Sequence, residues 1–267
     1  MTSARLLAAD MRDRLRSAVQ GNPWRYEPAR RPVSIHEIAS PLRYDIAIRV
    51  SYFRFHGVHA ELYDRDFEAY LERAREHAYY VWFTSLWARI FAPHLLDDEV
   101  ALARAFADRV RRTADLAASF ARRGFDTRRP VTLFAGRFVH PTATGKRVSR
   151  DVYAGDGCHR LALLLAAGES ELEPSQYRLK RFRSLVPVDT TPFLIQRLDL
   201  SVHEYLEFIR FGYPTVTLEA EGGRVTVGGA AAGTRREVQA VLEIDGAQFA
   251  RPRRGMEAEP FSLEPSD

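Results

Sequence analysis

One segment constrains this chain more than any other: Gly155-Asp156-Gly157-Cys158-His159-Arg160, set between a strand-like stretch and a strongly apolar helix. Val148, Val152 and Tyr153 lead into it, and Leu161, Leu163, Leu164, Leu165, Ala166 and Ala167 follow. Glycines on both sides of Asp156 let the backbone turn sharply and approach a ligand closely. The amides of Cys158, His159 and Arg160 open the helix without intrahelical partners. A helix start of this kind, with Arg160 beside it, is suited to an anion, and phosphate is the expected guest.

The remaining pattern predicts an α+β protein. Residues 1–20 read as an amphipathic charged helix ended by Gly21-Asn22-Pro23, neither a signal peptide nor an anchor. Residues 33–38 read as a short strand, and Ile46, Ile48, Val50 and Tyr52 alternate as in a half-buried strand. Residues 64–89 turn helical, with Phe67, Tyr70, Leu71, Ala74 and Ala78 on one face. The aromatic group Tyr79, Tyr80, Trp82, Phe83 and Trp87 continues that helix, either as core or as a platform for a base or sugar.

Asp97 and Asp98 cap a helix running to Arg123, buried through Leu102, Phe106, Val110, Ala114 and Ala117. Its other face, with Arg104, Asp108, Arg109, Arg111, Arg112 and Asp115, reads as solvated. A strand at 131–134 follows Pro130, and the turn-rich run 140–146 leads to the strand before the motif. After the motif helix, Tyr177, Leu179 and Phe182 outline another strand. Ser201 and Glu204 form a capping box. A hairpin round Gly222-Gly223, an apolar segment at 238–244 and a disordered tail from 250 complete the chain.

Composition narrows the function classes. With 46% apolar and 28% charged residues the chain is an ordinary globular protein, and its formal charge of +4 predicts no nucleic-acid partner. Lys146 and Lys180 are the only lysines, an Arg bias of the kind a GC-rich coding sequence produces. A single cysteine, Cys158, rules out an intramolecular disulfide and any multi-cysteine zinc site. The longest apolar runs fall far short of the roughly 20 residues a membrane span needs, so a cytoplasmic protein is expected. His56, His59, His77 and His203 do not stand in metal-ligand spacing.

The order helix, strand, turn, strand, Asp-Gly-Cys-His-Arg, Ala/Leu helix and final strand resembles the ParB/sulfiredoxin fold superfamily over roughly residues 95–185. The resemblance implies a core at 95–212, to which an N-terminal elaboration at 1–94 contributes; helical periodicity gives way near Tyr213 to a small β segment at 213–249, followed by the tail at 250–267. It implies nucleotide phosphates held at the 156–160 turn by Gly155, Gly157, Cys158, His159 and Arg160, with Lys146 reaching in from the facing turn. Asp156 is similar to the branch containing ATP- or ADP-dependent kinases of free serine, which implies a Mg²⁺-nucleotide and a small hydroxylated acceptor. Glu37 then falls near the catalytic carboxylate of that branch, and Arg43 and Arg49 are candidate substrate-binding cations.

Asp156 has two readings: metal ligand or proton acceptor beside the phosphate, or a helix cap accepting from the amides of Cys158 or His159. His159 either donates to a phosphate oxygen or packs beneath the turn. Gly157-Cys158-His159-Arg160 also matches the Gly-Cys-His-Arg of sulfiredoxin, which implies a second enzyme class with Cys158 as nucleophile. A ParB-like, nucleotide-switched binding module is the non-enzymatic alternative. The oligomeric state is left open.

Overall fold

The computed structural model describes residues 25–40, 42–142, 145–185 and 190–200, single positions as far as 210, and strands at 217–221, 224–230 and 237–243. Expectations for the helix at 1–20, the Ser201 cap and the tail from 250 lie outside the described residues. The architecture is α+β, as the sequence predicts.

Four strands make the main sheet in the order β1-β6-β3-β4. They are β1 Arg25–Pro28, β3 Val131–Thr142, β4 Gly145–Asp156 and β6 Tyr177–Leu185. β3 pairs with β4 antiparallel and with β6 parallel, so β4 and the helix after it form the crossover between β3 and β6. The long β3–β4 pairing extends the strand expected at 131–134 through most of the run read as a turn. A two-residue strand, β2 Val33–Ser34, pairs with β5 Glu171–Leu172. The hairpin near the C-terminus forms as expected, with β7 Thr217–Glu221, β8 Arg224–Ala230 and β9 Glu237–Glu243 in one antiparallel sheet.

The helices are α1 Ile35–Ala39, α2 Tyr44–Val58, α3 Ala60–Arg65, α4 Phe67–Glu76 and α5 Ala78–Trp82. A π-turn at Phe83–Ala88 continues α5 into the short α6 Arg89–Phe91. Then come α7 Glu99–Arg123, α8 Cys158–Ala166 and α9 Thr191–Leu198. Asp98 caps α7 by accepting from the Ala101 amide at 2.9 Å, and Phe106, Val110 and Ala114 are buried along the expected stripe.

Two expectations need correction. Ile46, Ile48, Val50 and Tyr52 belong to helix α2, not to a strand. Tyr44, Ala47, Ile48 and Tyr52 pack into a helical core with Tyr70, Tyr79, Phe83 and Phe106. Ile46, Val50 and Phe53 pack instead against Val131, Leu133, Ala154 and the leucines of α8. A helix buried on nearly all sides loses its 3.6-residue polarity pattern, so the alternation it shows is accidental.

Residues 33–38 are likewise mostly helix. Only Val33 and Ser34 are extended, and the Ser34 hydroxyl accepts from the Glu37 amide at 3.4 Å. Ser34-Ile35-His36-Glu37 has the spacing of a capping box, the signal that favours helix here. Helix α2 joins both cores, so residues before 95 pack together with those after it.

Candidate functional site: the 156–160 turn

The turn forms where β4 ends and α8 begins. In the β3–β4 pairing Thr132 faces Asp156 and Leu133 faces Ala154, which leaves Gly155 as the extra residue of a β-bulge. A Cβ on Gly155 would lie 2.4 Å from the Phe134 ring, so a larger residue would have to displace that ring. Gly157 then takes φ +90°, where a side chain is strained. A Cβ there would meet the Arg160 Nη2 at 2.9 Å and Val131 at 3.2 Å. Gly157→Ala should therefore cost about 1–3 kcal/mol in strain. A melting temperature equal to wild type would contradict this backbone account.

The turn has an outer and an inner side. On the outer side Asp156 is exposed, and its Oδ1 accepts from the Gly157 amide at 2.7 Å rather than from Cys158 or His159. Asp156, Thr132 and Arg178 stand in one row across β4, β3 and β6, and the Arg178 Nε donates to the Thr132 hydroxyl at 3.0 Å. Arg160, on the first turn of α8, has a buried Nη1 without a hydrogen-bond partner. Burial lowers its pKa; Asp156 opposes that, while Arg129 and Arg178 add to it. A cation is also disfavoured by the helix dipole at this end. Arg160 thus stands beside one carboxylate and two further guanidiniums.

On the inner side, Arg43 and Arg49 enclose Asp45. The Arg43 Nε and Nη2 donate to the two Asp45 oxygens at 2.8 and 3.0 Å. Arg49, one helical turn on, donates to the Asp45 Oδ2 at 2.5 Å and to its carbonyl at 2.6 Å. The Thr190 hydroxyl also lies 3.0 Å from Asp45 Oδ1. Burial by itself would raise the Asp45 pKa, but Arg43 and Arg49 outweigh it and hold the carboxyl below its usual range.

The same Arg43 reaches the turn. Its Nη1 donates to the Ala154 carbonyl at 2.6 Å and its Nη2 to the Cys158 Sγ at 2.9 Å. Burial works against the Arg43 charge, yet Asp45 and then Cys158 raise its pKa. The unique thiol is thereby tied to a buried ion pair that begins more than a hundred residues earlier.

His159 packs beneath the turn. Its Nε2 lies 2.7 Å from the Tyr79 hydroxyl, which lies 3.3 Å from the Thr113 hydroxyl. Thr113 donates to the Arg109 carbonyl at 2.9 Å. The consistent chain has His159 Nε2–H donating to Tyr79 and Tyr79 donating to Thr113, which ties α8 to α5 and α7. Burial, reinforced by Arg49 and Arg109 and opposed by Asp45, puts the His159 pKa well below 6.5 and keeps the ring neutral.

His77 is a second neutral imidazole. Its Nδ1 accepts from the Tyr79 amide at 3.0 Å, capping α5, and its Nε2 lies 3.1 Å from the Ser51 hydroxyl. Burial, with His59 adding, lowers its pKa to about 4. An unfolded His titrates near 6.5, so between pH 6.5 and 4 the unfolded state binds protons that the native state refuses. Stability should then fall by about 2–3 kcal/mol as pH drops through that window, with His159 acting in the same direction. Urea unfolding at pH 7 and pH 4.5 tests this, and His77→Asn, which can still cap, should flatten the profile. Equal stability at both pH values would contradict it.

The other candidates are placed as follows. Glu37 stands on α1, which packs against β4. Lys146 is at the opposite end of β4 from Asp156, and at about 3.3 Å per residue the turn is out of its reach. Its side chain lies outside the described residues. Among the described residues no three His, Cys, Asp or Glu side chains gather as a metal site, and no helix is long and apolar enough to cross a membrane.

Sequence reading missed Asp45 as the partner of Arg43 and Arg49. The i,i+4 spacing of Asp45 and Arg49 is the signal once α2 is taken as a helix. It also placed Arg109 on a solvated face, whereas its guanidinium stacks 4.3 Å from the Trp87 ring centre. No protein-family model, curated protein or solved structure matches this chain.

Proposed function

We propose that the protein is a nucleotide-dependent phosphotransferase that holds ATP or ADP phosphates on the outer side of the 156–160 turn and acts on a small hydroxylated metabolite. What supports this is Arg160: a cation at the positive end of a helix, with Arg129 and Arg178 nearby and a buried N–H lacking a partner. Such a grouping gains most when an oxyanion arrives to accept its hydrogen bonds. The bulge at Gly155 and the left-handed Gly157 bring the chain sharply from β4 into α8, which sets the helix start beside Arg160.

Asp156 keeps its Oδ1 on the Gly157 amide and turns outward beside this edge. It fits a Mg²⁺ that takes most of its ligands from phosphate oxygens and water. When bound, such an ion supplies neutralisation of charge on the transferred group. Asp156 is alternatively the acceptor for the proton of an attacking hydroxyl, and Glu37 is a further carboxylate for that task. The ParB/sulfiredoxin-like core belongs to the same proposal, since a helix opening after a glycine-framed strand end is its phosphate-holding element.

A second reading has its own observation. The Arg43 Nη2 donates to the Cys158 Sγ at 2.9 Å, which sets the only cysteine at a helix N-terminus against a guanidinium. A sulfiredoxin-like thiol enzyme would use that sulfur as nucleophile.

Two substitutions separate the readings. Phosphotransfer requires Mg²⁺-dependent nucleotide turnover that survives Cys158→Ser and falls at least about a hundredfold in Asp156→Asn. Complete loss in Cys158→Ser with activity retained in Asp156→Asn would instead establish the thiol enzyme.

A further inference from the structure

Behind His159 lies a second concentration of positive charge that the turn does not use. The Arg49 guanidinium stands 4.0 Å from the Trp82 ring centre, and that of Arg109 stands 5.9 Å from Trp82 and 4.3 Å from Trp87. Asp45 is the carboxylate ion-paired with this group, and it is shared between Arg43 and Arg49. Among the described residues Arg109 has no carboxylate or hydrogen-bond partner for its guanidinium. The Arg49 Nε is buried and likewise unpartnered, on a side chain only 7% exposed.

Stacking on indole occupies the flat faces of a guanidinium and leaves its N–H edge free. The Arg109 edge, whose charge burial and the nearby Arg49 disfavour, and the buried Arg49 Nε need an acceptor that these side chains do not supply. His159 touches Trp82 edge-on, with ring centres 5.9 Å apart, so this cluster adjoins the turn from within. Arg109 and Trp87 are half-buried, which leaves the cluster a path to solvent.

We infer that Arg109 and Arg49, stacked over Trp87 and Trp82, form a binding site for the oxyanion of a small ligand, a carboxylate or a phosphate. The indoles hold the two guanidiniums in place, with Tyr79 stacked on Trp82 and Phe83 on Trp87. This site stands on its own observations, independent of nucleotide binding at the turn. If both hold, it places the acceptor's anionic group on the helical side of His159.

The test uses the full chain and its intrinsic fluorescence, since two of its three tryptophans lie in the cluster. Sodium benzoate and sodium phosphate are titrated separately at ionic strength fixed with sodium chloride. A saturable change is expected with at least one probe, weakened about tenfold or more in Arg109→Gln. Arg109→Lys, which keeps the charge and stem, should weaken it less. Response to benzoate alone assigns a carboxylate ligand, and response to phosphate alone assigns a phosphate. Wild-type protein that responds to neither probe would overturn the site. So would a response that Arg109→Gln retains and Arg160→Gln loses, because that belongs to the turn.

Discussion

Asp45→Ala is expected to lower the stability of the protein by about 3–5 kcal/mol, enough to unfold much of a typical domain. The reason is charge left behind. Arg43, just before α2, and Arg49 within it are both buried, and Asp45 accepts from each of them. Without it two guanidiniums remain desolvated, and attraction between them and a carboxylate is replaced by repulsion. The damage should reach the turn, because Arg43 holds both the Ala154 carbonyl and the Cys158 sulfur. Chemical denaturation of wild type, Asp45→Ala and Asp45→Asn measures this, with the amide variant intermediate because it still accepts hydrogen bonds. A loss below about 1 kcal/mol in Asp45→Ala would mean that the ion pair is not what anchors α2.

Arg160→Gln carries the second large effect, on binding rather than folding. Charge-assisted hydrogen bonds of about 1.5–3 kcal/mol correspond to roughly a tenfold to hundredfold weaker nucleotide complex. The Arg160 Nη1 is already without a partner, so removing the guanidinium should leave stability nearly unchanged. Chemical denaturation and a nucleotide titration on the same variant separate the two. Unchanged affinity would detach Arg160 from phosphate, while a stability loss like that of Asp45→Ala would make it a structural residue.

How much of this was legible in the sequence depended on whether local chemistry or distant packing decided the outcome. The strand–turn–helix at 156–160 was readable because glycine spacing and an apolar run are local signals. The α7 stripe was readable because one face alone is buried. Helix α2 was not, since two cores bury it from both sides and erase its periodicity. With α2 read as a strand, the i,i+4 pairing of Asp45 with Arg49 could not be seen. Arg109 was unreadable for a different reason: the arginines near it on α7, Arg104, Arg111 and Arg112, are exposed, and Trp87 comes from the π-turn before it. His159 could be narrowed to two roles, and only the position of Tyr79 selects the one beneath the turn.

The 156–160 turn as a phosphate site is the central claim, and titration calorimetry of the wild-type chain with ATP and ADP, with and without Mg²⁺, tests it most directly. The account predicts saturable one-to-one binding that strengthens with Mg²⁺ and collapses in Arg160→Gln. The absence of binding by either nucleotide at millimolar concentration would contradict it.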